Sequence, residues 1–193
     1  MILPIIIYGN SFLRKKCIEI DKSYKDINFL INNMYYTMYQ AKGIGLSAPQ
    51  IGLSIRLFII EYHNFFKQKL KKVFINPIII KKYGYNLISK EGCLSIPNII
   101  ENIKRKNNII IEYYDENWKK YKQHFNGLLS IIIQHEYDHI EGKLFIDNIL
   151  ILKNLLIKKN FNLNYNLYKL YKLSKFYKFY LIYRSRYRNR NRI

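Results

Sequence analysis

Two histidines and a glutamate stand at the spacing that a metal-dependent hydrolase uses. His135, Glu136 and His139 form an HExxH pattern. Residues four apart lie on the same face of a helix, so two imidazoles at this spacing can bind one metal ion. The glutamate between them can then reach a water molecule on that ion. The apolar run of residues 128–133 predicts that this helix is buried, and buried histidines need partners. The pattern therefore favours a metal site over a helix with two exposed histidines.

A catalytic metal ion needs a third protein ligand as well as an open position for water. After His139 the chain has no histidine, and its only acidic residues are Glu141 and Asp147. Glu141 falls on roughly the opposite side of the helix, and Asp147 lies beyond its expected end. A ligand is therefore expected upstream, where Cys93, in the turn-forming segment 92–95, can present a thiolate at the end of a strand.

The remaining cysteine and two histidines are predicted to take no part in catalysis. Cys17 lies in a surface-like segment among charged residues, and His63 and His124 lie in polar, loop-like surroundings. Two cysteines provide no disulfide framework, which predicts a reducing, cytoplasmic setting. No apolar run reaches the ~18–20 residues of a membrane span, and the short apolar start lacks the basic leading region of a signal peptide.

The helices that must position these side chains are predicted from hydrophobic periodicity. Residues 11–41 are expected to be helical. One apolar face of this region is formed by Ile27, Leu30, Ile31, Met34 and Met38. The helix of the HExxH pattern is expected to open near Ser130 and to be closed by Gly142. A further helix is predicted to begin near Asp147 and to run into the basic tail.

Strands are predicted between the two main helices. Runs rich in Ile and Phe indicate strands at residues 56–62, 72–80 and 107–115, after a glycine-bearing loop at residues 43–52. Turn signals occur at Gly84, Gly92 and residues 116–117. The order of these elements, a helix, several strands and then a helix, predicts an α+β fold. In this fold mixed or antiparallel sheets pack around a central HExxH helix, with an additional C-terminal helix and basic tail.

Positive charge is concentrated at the end of the chain. The 193 residues carry a formal net charge of +20, and the 12 Lys and Arg residues after Asp147 are accompanied by no Asp or Glu. At this length one domain with its own core is expected. We divide the chain into a catalytic domain at residues 1–163 and a basic, tyrosine-rich extension at residues 164–193. Such an extension can neutralise rRNA phosphates and stack on bases. Compositional drift in an AT-rich genome and attachment to an acidic membrane surface are the alternatives.

Three segments together resemble the signature motifs of the peptide deformylase family. They are GIGLSAPQ at residues 43–50, EGCLS at residues 91–95 and QHEYDH at residues 134–139. The motifs occur in the family's order, and LRKKCIEI after YGN is similar to the family's amino terminus. The resemblance covers roughly residues 1–150. It implies hydrolytic removal of the formyl group from the N-terminal formyl-methionine of newly synthesised proteins.

By this resemblance, Cys93, His135 and His139 bind one divalent metal ion. The family usually holds Fe²⁺. Zn²⁺, Ni²⁺ or Co²⁺ can also occupy such a site, because one thiolate and two imidazoles suit several ions. Glu136 is expected to act first as general base and then as general acid, for attack by a metal-bound hydroxide.

The resemblance also implies how the oxyanion that develops during the reaction is stabilised. The side-chain amide of Gln50 and the backbone N–H of Leu94 are the expected donors, and Gly45 lets the loop backbone approach the substrate closely. The expected partners are nascent formyl-methionyl polypeptides. The basic extension is interpreted as an element that docks on the ribosome through rRNA.

Two positions depart from the family's pattern. Ser47 replaces the first alanine of GxGLAAPQ, which is tolerable if its hydroxyl finds a hydrogen bond, and Ile100 stands where many members have arginine. Arg105 is predicted to pair with Glu91 and brace the Cys93 loop, or else to be solvated. Two other functions stay open, a general HExxH metallopeptidase and a catalytically inactive protein that associates with ribosomes or RNA.

Overall fold

The computed structural model of the chain describes residues 1–63 and 69–149, and all that follows concerns these residues. The two α-helices are α1 (Ile27–Gln40) and α2 (Gly127–Ile140). The five strands are β1 (Gly45–Ser47), β2 (Leu57–His63), β3 (Lys69–Cys93), β4 (Ile96–Tyr114) and β5 (Lys120–Asn126). Short 3-10 helices cover Ser11–Arg14, Ala48–Ile51 and Phe145–Asn148. Residues Met1–Asn148 form one compact unit.

The five strands form one sheet in the order β1-β2-β3-β4-β5, and every neighbouring pair is antiparallel. The α+β class is therefore confirmed, and the sheet is antiparallel rather than mixed. The one parallel contact in the described residues is an isolated bridge between Ile18 and Ile55. The helix α2 packs on this sheet, where it contacts β1, β2, β4 and β5.

The long hairpin of β3 and β4 brings Cys93 to the end of a strand, as predicted. The chain turns at residues 94–95 and returns as β4. The turn predicted at Gly84 is wrong, because β3 runs on through it. Gly84 has φ +80°, and the pairing with β4 shifts register between Tyr83 and Asn86, so this glycine accommodates an irregularity inside the strand instead of ending it. The turn at residues 116–117 is confirmed.

One apolar cluster of the core lies between the sheet and α2. Alternate residues of β4 are buried at positions 103, 105, 107, 109, 111 and 113, because successive side chains of a strand point to opposite faces. Ile109, Ile111 and Tyr113 join side chains of the other strands and of α2 in one apolar cluster. Arg105 shares this buried face, which brings a cation under the helix that carries the HExxH pattern.

The first predicted helix is right in its second half only. All five apolar residues predicted on its inner face are buried in α1. Residues 15–26 are not helical, because their backbone groups pair elsewhere: Cys17 N–H donates to the carbonyl of Ile140 at 2.8 Å, and Ile18 N–H donates to that of Ser54 at 3.1 Å. The same pairing buries Cys17, so the surface-like environment predicted for it is wrong.

The HExxH helix begins three residues before the predicted opening. It starts at Gly127, while Ser130 lies inside it with a buried hydroxyl that donates to the carbonyl of Lys106 at 3.1 Å. Gly142 follows the helix end, as predicted, with φ +72°. Asp147 lies in a 3-10 helix. The rest of the predicted C-terminal helix, the boundary at residue 163 and the basic extension lie outside the described residues. None of the helices in residues 1–63 and 69–149 has the length and apolar character of a membrane span.

Candidate metal centre and active site

Three candidate metal ligands converge although they come from distant parts of the chain. One donor atom each from Cys93, His135 and His139 lies within 4.8 Å of the others. The Sγ of Cys93 is 3.2 Å from Nε2 of His139. The hairpin turn presents the cysteine, and α2 presents the two imidazoles one helical turn apart. One thiolate and two imidazoles at this separation fit a single divalent ion of the Fe²⁺ or Zn²⁺ kind.

The imidazole of His135 is oriented by a carboxylate. Its Nδ1 lies 2.9 Å from Oε2 of Glu91, and because the carboxylate can only accept, Nδ1–H donates and Nε2 is left for an ion. Burial acts to lower the pKa of His135, but hydrogen bonds to Cys93 and Glu91 outweigh it and raise that pKa to about 10, so an ion that binds Nε2 must displace a proton from it. Burial lowers the pKa of His139, which favours the neutral ring that a metal ligand must have.

A buried arginine holds the Cys93 loop to the HExxH helix. Nε and Nη2 of Arg105 donate to the two carboxylate oxygens of Glu91 at 2.6 and 2.9 Å. Its Nη1 donates to Asp138 at 2.6 Å. The predicted Arg105–Glu91 pair is confirmed. The third member, Asp138, was missed by the sequence analysis, although its place inside the HExxH pattern was a usable signal. Burial acts to raise the pKa of Glu91, but the bonds from His135 and Arg105 hold it below its usual value.

The carboxylate of Glu136 is buried between the first motif and the metal ligands. A Cβ atom added to Gly45 would lie 2.3 Å from Oε1 of Glu136, so only glycine leaves room for the carboxylate here. Its Oε2 accepts a hydrogen bond from the hydroxyl of Ser47. Ser47, which stands where the family pattern has alanine, therefore makes the hydrogen bond that a buried hydroxyl at this position needs. Burial raises the pKa of the Glu136 carboxyl, and the nearby His135 offsets part of that rise.

The side-chain amide of Gln50 is fixed at both ends. Its Oε1 accepts from the backbone N–H of Ser47 at 2.8 Å, which orients the NH₂ group away from that strand. The Nε2 then donates to Ser95 Oγ at 3.2 Å and lies 3.4 Å from Cys93 Sγ. The Ser47–Gln50 bond is local, within the turn into the 3-10 helix of residues 48–51. Together with the bond to Ser95 on the hairpin turn, it directs the amide nitrogen toward Cys93.

A cavity of about 530 Å³ opens beside these groups. Gly45, Gln50, Cys93, Leu94 and Glu136 line it, so the hairpin, the first motif and the HExxH helix share one cavity. The rest of its wall is mostly apolar and includes Ile44, Ile99, Ile100, Leu128, Ile131 and Ile132. Most of Ile100 is exposed, at 67%, so an apolar and accessible side chain stands where many relatives are expected to have arginine.

Residues that the sequence analysis set aside do not join the metal ligands. His63 is exposed at the end of β2. His124 is exposed too, but it lies in β5 and not in a loop, and it contacts Asn108 Oδ1 at 3.0 Å. Burial raises the pKa of Cys17 to about 11, which makes its thiol inert near neutral pH. Glu141 accepts a hydrogen bond from Arg56 at 2.6 Å, on another side of α2.

Comparison with known proteins agrees with this geometry. The family model described as polypeptide deformylase matches residues 2–154. The chain belongs to the peptide deformylase family. A peptide deformylase of Karelsulcia muelleri (strain GWSS) is 96% identical over 188 residues, which cover 97% of this chain and 100% of the relative. One of Christiangramia forsetii is 49% identical over 161 residues, covering 77% and 82%. The crystal structure of a peptide deformylase from Legionella pneumophila superposes with a TM-score of 0.78 at 32% identity, covering 88% of this chain and 98% of that one.

Family membership decides the activity. The deformylase is a metal-dependent hydrolase that removes the N-terminal formyl group from nascent peptides. The predicted family and function are confirmed. The general metallopeptidase and the inactive RNA-associated protein are set aside.

Proposed function

We propose that Cys93, His135 and His139 hold one divalent ion in this deformylase and that the native ion is Fe²⁺. The convergence of their donor atoms within 4.8 Å carries this proposal. The ligand set admits Zn²⁺, Ni²⁺ and Co²⁺ as well, and the family resemblance favours Fe²⁺ among them. A divalent ion in this position supplies a Lewis acid and lowers the pKa of a water molecule.

Glu136 is proposed as the group that moves the proton. Its carboxylate takes a proton from the attacking water as the new C–O bond forms at the formyl carbon. It then delivers that proton to the amine nitrogen as the C–N bond breaks, which yields formate and a free amino terminus. Burial supports this role, because it raises the pKa of the carboxyl toward the range in which a proton can be both taken and returned.

Gln50 and Leu94 are proposed to stabilise the oxyanion. The Gln50 amide is held in place by its bonds to Ser47 and Ser95 before charge develops, and its nitrogen lies 3.4 Å from Cys93 Sγ. Leu94 directly follows Cys93 and lines the same cavity, which puts its backbone N–H on the hairpin turn beside the reacting group. Gly45 lets the backbone of the first motif approach both the substrate and Glu136.

The apolar wall of the cavity is proposed to receive the methionine side chain. A thioether side chain gains free energy when it leaves water for a surface made largely of isoleucine and leucine. The formyl group is small enough to reach the metal ligands at the inner end. The peptide that follows the methionine then leaves across exposed Ile100, where an apolar residue replaces a cation.

Formate release from a formyl-methionyl peptide tests the site. We expect Glu136→Gln to lose at least ~10²-fold in kcat while it keeps its metal, the scale of a general-base contribution. We expect His135→Ala to lose both metal and activity. His124→Ala is the matched control, because that histidine is exposed and outside the site, and it should behave as wild type. Full metal content in His135→Ala would contradict the ligand assignment.

Anaerobic purification followed by metal analysis tests the identity of the ion. We expect iron at about one equivalent per chain, with lower activity after replacement by Zn²⁺. Loss of activity in air that Fe²⁺ restores would support iron, because ferrous sites with a thiolate ligand oxidise. A protein that carries zinc under these conditions, with undiminished activity, would contradict the choice of Fe²⁺ but not the site.

The basic extension is proposed to associate with the ribosome, in the cytoplasm where formylated chains emerge. Support comes from the sequence alone. The 12 Lys and Arg residues after Asp147 are accompanied by no Asp or Glu, and tyrosines are interspersed among them. Co-sedimentation with ribosomes should fall steeply with salt and should be lost on deletion of residues 164–193. Unchanged binding by the deleted chain would refute the proposal.

A further inference from the structure

The hydroxyl of Ser47 is joined to the proposed base by two contacts. Ser47 ends β1 and is completely buried, with no exposed surface. Its Oγ makes a hydrogen bond to Oε2 of Glu136, and it lies 3.1 Å from the backbone carbonyl oxygen of the same residue. The two residues are 89 positions apart. A strand of the first motif and the HExxH helix therefore meet at the carboxylate that is proposed to move the proton.

These two contacts fix the position of the Glu136 carboxylate. The hydroxyl of Ser47 donates to Oε2 and also lies against the carbonyl oxygen of the same residue, so the side chain of Glu136 is tied both to β1 and to the start of its own helical turn. Loss of the hydroxyl would leave a buried carboxylate oxygen without this partner.

The carboxylate is confined on its other side as well. The backbone of Gly45 lies so close to Oε1 that a Cβ there would be 2.3 Å away. One carboxylate oxygen of Glu136 thus has a hydrogen-bonding partner, and the other lies close to the backbone of Gly45. A methyl group at position 47 would keep the packing but remove the partner.

We propose that Ser47 is a positioning residue for this deformylase, which holds the carboxyl of Glu136 in one place beside the cavity. The inference rests on the proposed role of Glu136. It gives a function to a position at which the sequence departs from the family's usual alanine.

Ser47→Ala is the direct test, and alanine is compatible with the fold because the family pattern carries it at this place. We expect kcat for formate release to fall roughly tenfold, the scale of one lost hydrogen bond to a charged group. KM and metal content should stay at their wild-type values, because the variant touches neither the apolar wall nor a metal ligand. A merely structural serine would not produce a selective fall in kcat.

Ser130→Ala is the matched control. Ser130 is also completely buried and lies on α2, but its hydroxyl bonds to Lys106 and Gln134 away from the cavity. The control should lose thermal stability and keep kcat. The same Ser47→Ala change in a Glu136→Gln background should cost no further activity, because both changes act through one carboxyl.

Three results would overturn the inference. The inference is wrong if kcat of Ser47→Ala is within twofold of wild type. It is also wrong if Ser47→Ala loses enough metal to account for its loss of activity. An equal fall in Ser130→Ala would show that any buried hydroxyl matters. A failure of the proposed role of Glu136 can be told apart from these results, because Glu136→Gln would then keep the wild-type kcat regardless of the result for Ser47→Ala.

Discussion

Replacement of Gly45 by alanine should displace the proposed base without disturbing the fold. The new Cβ would lie 2.3 Å from Oε1 of Glu136, whereas ordinary contact begins at 3.4 Å. The carboxylate must therefore retreat by about 1 Å, and a misplacement of about 1 Å costs on the order of 10²-fold in rate. Gly45 does not have a positive φ, so alanine adds no backbone strain. We expect kcat to fall about 10²-fold.

The assay separates displacement of the base from damage to the protein. Formate release gives kcat and KM, elemental analysis gives metal content, and thermal melting gives stability. The value of kcat should fall by a large factor, whereas metal content and stability should stay close to those of wild type. Combination of Gly45→Ala with Glu136→Gln should add little to the loss in Glu136→Gln alone, because the two changes share one carboxyl. A kcat within threefold of wild type at full metal content would refute the reasoning, since the carboxylate would then tolerate the shift.

Three further predictions concern the groups around the metal ligands. Arg105→Ala should lower the free energy of unfolding by about 3–5 kcal/mol in urea, because it removes the cation that two buried carboxylates, Glu91 and Asp138, share; a loss below about 1 kcal/mol would contradict this. The pKa of Glu91 is lowered in the folded protein, so its stabilisation is complete above the unfolded value of about 4.3 and is lost as pH falls through the folded value. The free energy of unfolding of Glu91→Gln should accordingly depend less on pH in the acid range than that of wild type. The same acid dependence in both proteins would argue against the Arg105–Glu91 pair. Iodoacetamide should label Cys93 in metal-stripped protein and neither cysteine in loaded protein, because Cys17 is buried with a pKa raised to about 11. Labelling of Cys17 at neutral pH would show that its burial is not maintained.

Local patterns predicted the geometry and the burial of the HExxH helix well. The spacing of His135 and His139 depends only on the helical repeat, and the apolar run before them indicated burial, so the sequence was sufficient for both. The apolar face of α1 was predicted for the same reason. The prediction of secondary structure was wrong where the backbone groups of a segment bond to partners that are distant in the sequence. Residues 15–26 were expected to be helical. Instead, backbone groups in this segment bond to Ile140 at the end of α2 and to Ser54 shortly before β2.

The strands show the same limit. Gly84 was predicted to mark a turn, but the partner strand β4 continues past it, and a register shift absorbs the glycine. Only the pairing of two long strands could decide this, because a glycine in a turn and a glycine in a bulge look alike in sequence. His124 was placed in a loop for a similar reason, since β5 alternates polar and aromatic residues without a clear apolar run.

The sequence by itself pointed to the candidate metal ligands and to the common face of the two histidines, and the three motifs together identified the family. It also suggested the Arg105–Glu91 pair from chemistry alone. Tertiary structure decided what surrounds those groups. The long hairpin carries Cys93 to His139, Asp138 becomes the second partner of Arg105, and Ser47 meets Glu136 across 89 residues. Such contacts depend on strand register and helix packing over the whole unit, which no local spacing encodes.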